Sequence, residues 1–189
     1  MMATPSPLCR TADSVLVLID TQTRLMAAMP PGDRERLLRS ASLLLRAAAT
    51  LNIPVIHTEQ YPRGLGQTEP ALLPYIPATA RYFEKVHFSC CGVEGFMGAL
   101  QELGRDQVIL AGVEAHVCVL QTAIGLHAPE RRVFVVADGV CSRSPEHAAN
   151  ALARLQQAGI IVSNSESVLF EWLVHSRHEH FRTLSGLLR

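Results

Sequence analysis

Asp20, Lys85 and Cys118 are the residues of this chain whose types could together run nucleophilic chemistry. Each lies at the end of a strand-like run or just beyond one. Asp20 ends VLVLID, Lys85 ends YFEK, and Cys118 comes six residues after Gly112, which closes VILAG. Lys85 is also the only lysine among 17 basic residues, every other one being arginine. An ammonium is compact, carries three freely rotating donors and shifts its pKa readily, whereas a guanidinium is a planar fork. A lysine kept against an arginine background therefore reads as chosen for those properties. A thiol is a weak nucleophile until ionised, and ionisation is favoured beside a cation and near a helix N-terminus. Lys85 can supply the cation, and the helix after Gly112 the dipole. Asp20 can accept the thiol proton and later return it to a departing amine. A carboxylate beside an ammonium is a weak base, so burial must favour its protonated form or the proton must pass between thiol and carboxylate in a closed site. Taken singly, a strand-ending Asp is often a loop anchor and a helical Cys is often a small buried hydrophobe. It is the shared edge that makes the catalytic reading.

The elements that must position these groups alternate between strand and helix patterns. Residues 15–19 (VLVLI) form a short continuous apolar run, as in a strand buried on both faces. Asp33 can cap a helix whose stripe runs Leu37, Ala41, Leu44, Leu45, Ala48 and Leu51. Further strands are expected at 54–57, 82–86, 108–111, 133–137 and 160–162, and helices at 92–103, about 115–126, and from Ser144-Pro145 to Gly159. One or two helices close the chain, within about 165–188. A long Gly- and Pro-containing loop, 61–77, follows the second strand, and loops of that length are often functional. Strand alternating with helix implies right-handed crossovers. The expected fold is therefore one α/β domain over 1–189 with its core at about 13–175: a doubly wound, Rossmann-like, six-stranded parallel sheet with helices on both faces. Ligands in such sheets sit beyond the carboxyl ends of the strands, where strand order reverses.

Bulk composition narrows the function. The chain of 189 residues is 48% hydrophobic and 18% charged, with 17 acids against 17 bases. That balance shows no basic stripe for nucleic acid or an anionic membrane. No apolar run reaches the ~18 residues of a membrane span, and 1–10 lacks the pattern of a signal peptide. Five cysteines (Cys9, Cys90, Cys91, Cys118, Cys141) fit no disulfide or zinc spacing and read as free thiols in a cytoplasmic protein. Cys90-Cys91 reads as packing. His175, His178 and His180 read as a solvated helix, and Asp138 as a bond to turn backbone or a helix cap. Gly64 and Gly66 lack the context of a dinucleotide fingerprint. Gln22, Tyr61, Phe88 and His116 lie near the trio or in the long loop and are candidate walls of a substrate pocket.

At these residues the chain resembles the isochorismatase-like cysteine hydrolases, a superfamily that includes nicotinamidases, N-carbamoylsarcosine amidases and ureidoacrylate hydrolases. The matching segments are 15–22 (VLVLIDTQ), Lys85, 108–122 (VILAGVEAHVCVLQT) and 133–142 (VFVVADGVCS). The loop 57–66 (HTEQYPRGLG) is similar to the subgroup of isochorismatase domain-containing proteins. The resemblance implies an Asp-Lys-Cys triad at Asp20, Lys85 and Cys118. It also implies a cis peptide between Val113 and Glu114 that aims the Glu114 N–H, with that of Cys118, into an oxyanion hole. Nicotinamidases of the superfamily carry an Asp and two His as metal ligands after the second strand. Here His57-Thr58-Glu59-Gln60-Tyr61 stands in that place, so neither metal nor other cofactor is expected, and His57 reads as a pocket wall or core residue. The expected activity is hydrolysis of a small amide, ureido or related C–N bond through a thioester, by a homo-oligomer, dimer or larger. Two other classes stay open: a non-catalytic protein retaining the fold, and a thiol-redox protein in which Cys118 pairs with Cys141 or Cys91.

Overall fold

The computed structural model describes residues 7–128 and 130–188. In chain order the elements are β1 (Ser14–Ile19), α1 (Thr23–Ala27), α2 (Pro31–Thr50), β2 (Val55–Gln60), α3 (Pro62–Leu65), β3 (Arg81–Lys85) and α4 (Phe96–Leu103). Then come β4 (Gln107–Val113), a π-helical turn (Ala115–Val119), α5 (Leu120–Leu126), β5 (Arg132–Cys141), α6 (Pro145–Gln157), β6 (Ile161–Ser163), α7 (Ser165–Leu173) and α8 (Phe181–Ser185). The six strands pair in parallel in the order β3-β2-β1-β4-β5-β6. Order reverses between β1 and β4, so the carboxyl ends of those two strands flank the crevice where doubly wound sheets bind ligands.

Continuous apolar strands are required because the sheet is covered twice. Along β1, Leu16 and Leu18 join a core with Leu37, Leu44, Leu45, Phe134, Trp172 and Leu173, under α2 and α7. The intervening Val15, Val17 and Ile19 join a second core with Phe96, Leu100, Val119, Ala123, Leu126 and Leu155, under α4, α5 and α6. The alternation follows the two-residue period of a strand. Each fully buried aliphatic side chain adds roughly 1.5–3 kcal/mol of favourable transfer, which offsets the ordering of the backbone. Trp172 is buried with its Nε1 donating to Ser14 Oγ at 2.9 Å, which ties α7 to the first strand.

The structure corrects several local expectations. Pro30, not Asp33, precedes the first turn of α2, and Asp33 lies within that turn beside Arg36. Pro31 presets the first turn, and no side chain caps it. Ser144 precedes α6 with Pro145 in its first turn, but the serine side chain makes no capping bond. The helix expected from residue 92 begins at Phe96, after a short turn at Cys90–Gly92 and Gly95 at φ +80°. His175, His178 and His180 lie in the irregular link between α7 and α8 and not on a helix, because Val174 at φ +63° turns the chain out of α7. Among the described residues no helix is long and apolar enough to cross a membrane.

One backbone contact sets the width of the crevice. Gly112 pairs with Ile19 in register and has φ +123°, and a Cβ there would lie 1.9 Å from the Ile19 carbonyl oxygen. Only glycine lets β1 and β4 approach so closely one residue before Asp20.

Candidate active site

Three strand ends bring the trio together. Asp20 follows β1 with φ +49°, a left-handed conformation that Asp adopts more readily than most residues. Lys85 is the last residue of β3, and Cys118 lies in the π-helical turn after β4. All three are buried, at 0%, 2% and 6% relative exposure for Asp20, Lys85 and Cys118. Lys85 Nζ stands 2.6 Å from Asp20 Oδ2 and 3.4 Å from Cys118 Sγ. It also donates to Gln60 Oε1 at 2.6 Å and to the carbonyl oxygens of His87 at 3.1 Å and Phe88 at 3.2 Å. The other carboxylate oxygen, Asp20 Oδ1, accepts from the Thr58 hydroxyl at 2.7 Å. Oδ2 has no hydrogen bond of good angle and meets the ammonium as an ion pair.

The electrostatics differ from the simple picture of a thiol ionised by a neighbouring lysine. Burial, then the charge of Asp20, push the Cys118 thiol up to about 12, and Lys85 opposes this only in part. Burial is the larger cause, and the carboxylate raises the thiol by more than the ammonium lowers it. Burial alone would lower the Lys85 pKa, but the charges of Asp20 and Cys118 outweigh it and the net shift is upward. The resting site therefore holds a charged Lys85 beside a protonated thiol.

The peptide between Val113 and Glu114 is cis. The Glu114 carboxylate, 8% exposed, accepts from the Arg143 backbone N–H at 3.0 Å and from Arg143 Nε at 3.1 Å. This bond anchors the start of the turn that carries Cys118 to the loop after β5. His116 lies on the same turn, half-buried. Its Nδ1 is 2.9 Å from Ser142 Oγ and its ring is 4.8 Å from that of His147.

Of the other expected wall residues, Tyr61 and Phe88 are exposed, at 54% and 56%. Tyr61, at φ +37°, donates its N–H to the Lys85 carbonyl, and the Phe88 carbonyl accepts from Lys85 Nζ, so both flank the lysine. Gln22 is fully buried and clamps the loop. Its Nε2 donates to the carbonyls of Gln60 and Gly66, and its Oε1 accepts from the Gln60 N–H. His57 packs its ring 5.1 Å from that of Tyr82, and burial lowers its pKa. Next to it, buried Glu59 accepts from the Thr68 N–H and hydroxyl and from the Tyr82 hydroxyl, which ties the long loop to β2. Cys141 belongs to the core on the α2 face while Cys118 belongs to the core on the other face, so the sheet stands between them. Cys90 is fully buried behind the site, its thiol pushed up to about 11, chiefly by burial.

Thr58 and Gln60 escaped the sequence reading, although both contact the trio directly. Their signal was faint: two polar residues at alternate positions where a buried strand meets its carboxyl edge. A recess of about 520 Å³ runs along β3 and is lined by Lys85, Val86 and His87 among others. A larger cavity of about 820 Å³, between Leu8–Arg10 and α7, contains none of the trio. Convergence of reactive groups, not volume, marks the candidate site.

Residues 14–167 match the family model described as isochorismatase domain. The chain is 36% identical over 179 residues to isochorismatase domain-containing protein 2 of Danio rerio, covering 94% of this chain and 88% of that one. Among solved structures it is similar to MAR1 ribonuclease from Caenorhabditis elegans, with a TM-score of 0.89, 34% identity, and 96% of this chain and 92% of that chain covered. It is also similar to the YcaC gene product of Escherichia coli, described as an octameric hydrolase of unknown specificity, with a TM-score of 0.88, 25% identity, and 98% and 91% of the two chains covered. On the domain match, the coverage and the shared architecture, the chain belongs to the isochorismatase family and has its hydrolase fold.

Proposed function

We propose that the protein is a cysteine hydrolase that cleaves a small amide, ureido or related C–N bond through a thioester on Cys118. The observation that carries this reading is the single lysine ammonium, Lys85 Nζ, that touches both Asp20 Oδ2 and Cys118 Sγ, all three residues being buried. Asp20 takes the thiol proton as sulfur attacks the carbonyl carbon. The two forms of the site, carboxylate with thiol and carboxylic acid with thiolate, carry the same net charge. The proton therefore moves without burying a new charge. The tetrahedral oxyanion rests on the N–H groups of Glu114 and Cys118. Asp20 gives the proton to the departing amine, which leaves as the C–N bond breaks. It then takes a proton from water, whose oxygen attacks the thioester, and the carboxylic acid product leaves with the thiol restored. No step in this sequence calls for a metal ligand or cofactor. Tyr61, Phe88 and His116 are proposed to line the entrance, with Gln22 shaping it from beneath. A homo-oligomeric assembly of dimer size or larger and a cytoplasmic location belong to the same reading, the former in keeping with the octameric neighbour.

The description of one relative as a ribonuclease raises a second reading, cleavage of a phosphodiester in RNA. The zero formal net charge here offers little attraction for a polyanion, which favours the small-molecule reading. The deciding experiment is a screen of small amides and ureido compounds for ammonia or amine release, run beside a labelled RNA. Release that is abolished in Cys118→Ala and in Lys85→Arg supports the proposal. RNA cleavage that survives Cys118→Ala without any amide turnover overturns it.

A further inference from the structure

We infer that Thr58 and Gln60, two residues apart on β2, are the positioning pair of the site: Thr58 fixes the acid and Gln60 fixes the ammonium. The inference rests on the hydrolase reading above and extends it to the one strand at the site that supplies no reacting group.

β2 lies between β1, which leads into Asp20, and β3, which ends in Lys85. The two charged residues thus start from strands about 10 Å apart, two strand spacings, and the lysine must reach across β2. Residues at alternate positions share a face of a strand. Register sets Thr58 opposite Ile19, one residue before Asp20, and Gln60 opposite Lys85 itself. The face of β2 that the lysine crosses therefore carries one polar side chain for each partner.

Thr58 selects between the two carboxylate oxygens. Its hydroxyl donates to Oδ1 at 2.7 Å in a fully buried bond, and this leaves Oδ2, beside Lys85, as the oxygen that takes the thiol proton. Gln60 is oriented in the same way. Its Nε2 donates to the Val86 carbonyl at 2.9 Å, so its Oε1 is the end that faces Lys85 at 2.6 Å. Its backbone is gripped from both sides by the buried amide of Gln22, at 3.0 Å and 2.7 Å. The consequence concerns the proton transfer itself. When Asp20 becomes neutral, Lys85 loses the charge that holds it most strongly at the moment when it must face the new thiolate. The Gln60 oxygen and the carbonyls of His87 and Phe88 are neutral acceptors that do not change in that step. They hold the ammonium in one place whether the negative charge rests on oxygen or on sulfur. The titratable groups facing it are Asp20, Cys118 and the buried Cys90 thiol.

The test is the rate at which iodoacetamide alkylates Cys118, mapped by mass spectrometry between about pH 6 and 10, with Tm measured alongside. Wild type is compared with Thr58→Val, Thr58→Ser and Gln60→Leu. A hydrogen bond to a charged group sets the expected size: Thr58→Val and Gln60→Leu slow Cys118 alkylation about ten- to a hundredfold and change its pH profile. Thr58→Ser, which keeps the hydroxyl, stays close to wild type. A fall in Tm with an unchanged alkylation profile would make the pair merely structural and overturn the inference. Should Thr58→Val not fold, half-buried Gln60→Leu decides. A wild-type protein whose amine or ammonia release in the screen above is absent, or survives Cys118→Ala, removes the hydrolase reading and the inference with it. A reactive wild type whose variants all match it removes the inference alone.

Discussion

Lys85 Nζ and Asp20 Oδ2 lie 2.6 Å apart, and neither side chain has any exposure to solvent. A pair buried this deeply loses the hydration of both ions, and their mutual attraction does no more than offset that loss. Its presence in the core is poor evidence of selection for stability. It is better explained by what stands beside it, a thiol that shares the same ammonium.

The pair makes a prediction about stability that does not depend on knowing a substrate. Lys85→Met leaves a buried carboxylate without its cation, and removing one member of a buried pair costs about 3–5 kcal/mol. Asp20→Asn combined with Lys85→Met removes both charges and should recover most of that loss. Urea denaturation of the two variants and wild type measures both quantities. A single variant as stable as wild type would mean that water reaches the pair in solution.

The raised pKa of Cys118 makes a second prediction, with a sign that runs against intuition. With the thiol pushed up to about 12, wild type should show no Cys118 thiolate by absorbance near 240 nm from pH 6 to 9. Asp20 is among the causes of that upward shift, while Lys85 acts downward. Asp20→Asn deletes that upward contribution and leaves burial alone to oppose Lys85, so thiolate should appear at lower pH than in wild type. The variant should nevertheless be inactive in turnover, because no group remains to take and return the proton. An Asp20→Asn protein with less thiolate than wild type would contradict this account of the site's electrostatics.

The trio was legible in the sequence because each member ends or follows a strand whose type could be read from its apolar run. Parallel crossovers then bring all such ends to one edge. Lys85 stood out further as the sole lysine. Thr58 and Gln60 were not legible, because their role depends on the register of β2 against both neighbours, and a single strand's sequence does not carry register. Gln22 was read as a pocket wall from its nearness to Asp20, yet its amide is spent on the backbone of Gln60 and Gly66. The balance of charge at Cys118 was likewise beyond reach. A sequence names the cation and the carboxylate but does not show that they lie close enough to cancel each other at the sulfur.

Gly112 carries a third prediction, about the width of the cleft. A Cβ at this position would overlap the Ile19 carbonyl oxygen at 1.9 Å, and the residue's φ of +123° is strained for any L side chain. Gly112→Ala must push β1 and β4 apart where they frame Asp20 and the cis Val113–Glu114 peptide. The expected result is a loss of about 3 kcal/mol or more, roughly 6–12 °C in Tm for a chain of this length. Cys118 alkylation should slow in whatever fraction folds. A variant with normal Tm and normal alkylation would show that the strands separate freely here and that the glycine is not what sets the gap.

Asp138 supplies the complementary case, a half-buried carboxylate that should matter for stability and not for chemistry. From β5 it accepts the Ser165 N–H at 2.8 Å, the Ser165 hydroxyl, and the Ser40 hydroxyl at 2.8 Å. It thereby joins α2 to the first turn of α7. The two serines are only 5% and 4% exposed, so Asp138→Ala leaves their hydroxyls and a first-turn N–H without this acceptor. Orphaned buried groups cost about 1–3 kcal/mol each, and partial relaxation gives an expected loss of about 2–4 kcal/mol, roughly 4–16 °C in Tm. Asp138→Asn keeps one oxygen acceptor and should lose less. Asp138 has no bond to Asp20, Lys85 or Cys118, and the residues it holds belong to the α2 face of the sheet, away from the core that contains Cys118. Alkylation of Cys118 per folded molecule should therefore match wild type in both variants. If alkylation falls along with Tm, the two faces of the sheet are coupled more tightly than their separate cores imply. The positions of α2 and α7 would then have to be counted among the determinants of the candidate active site.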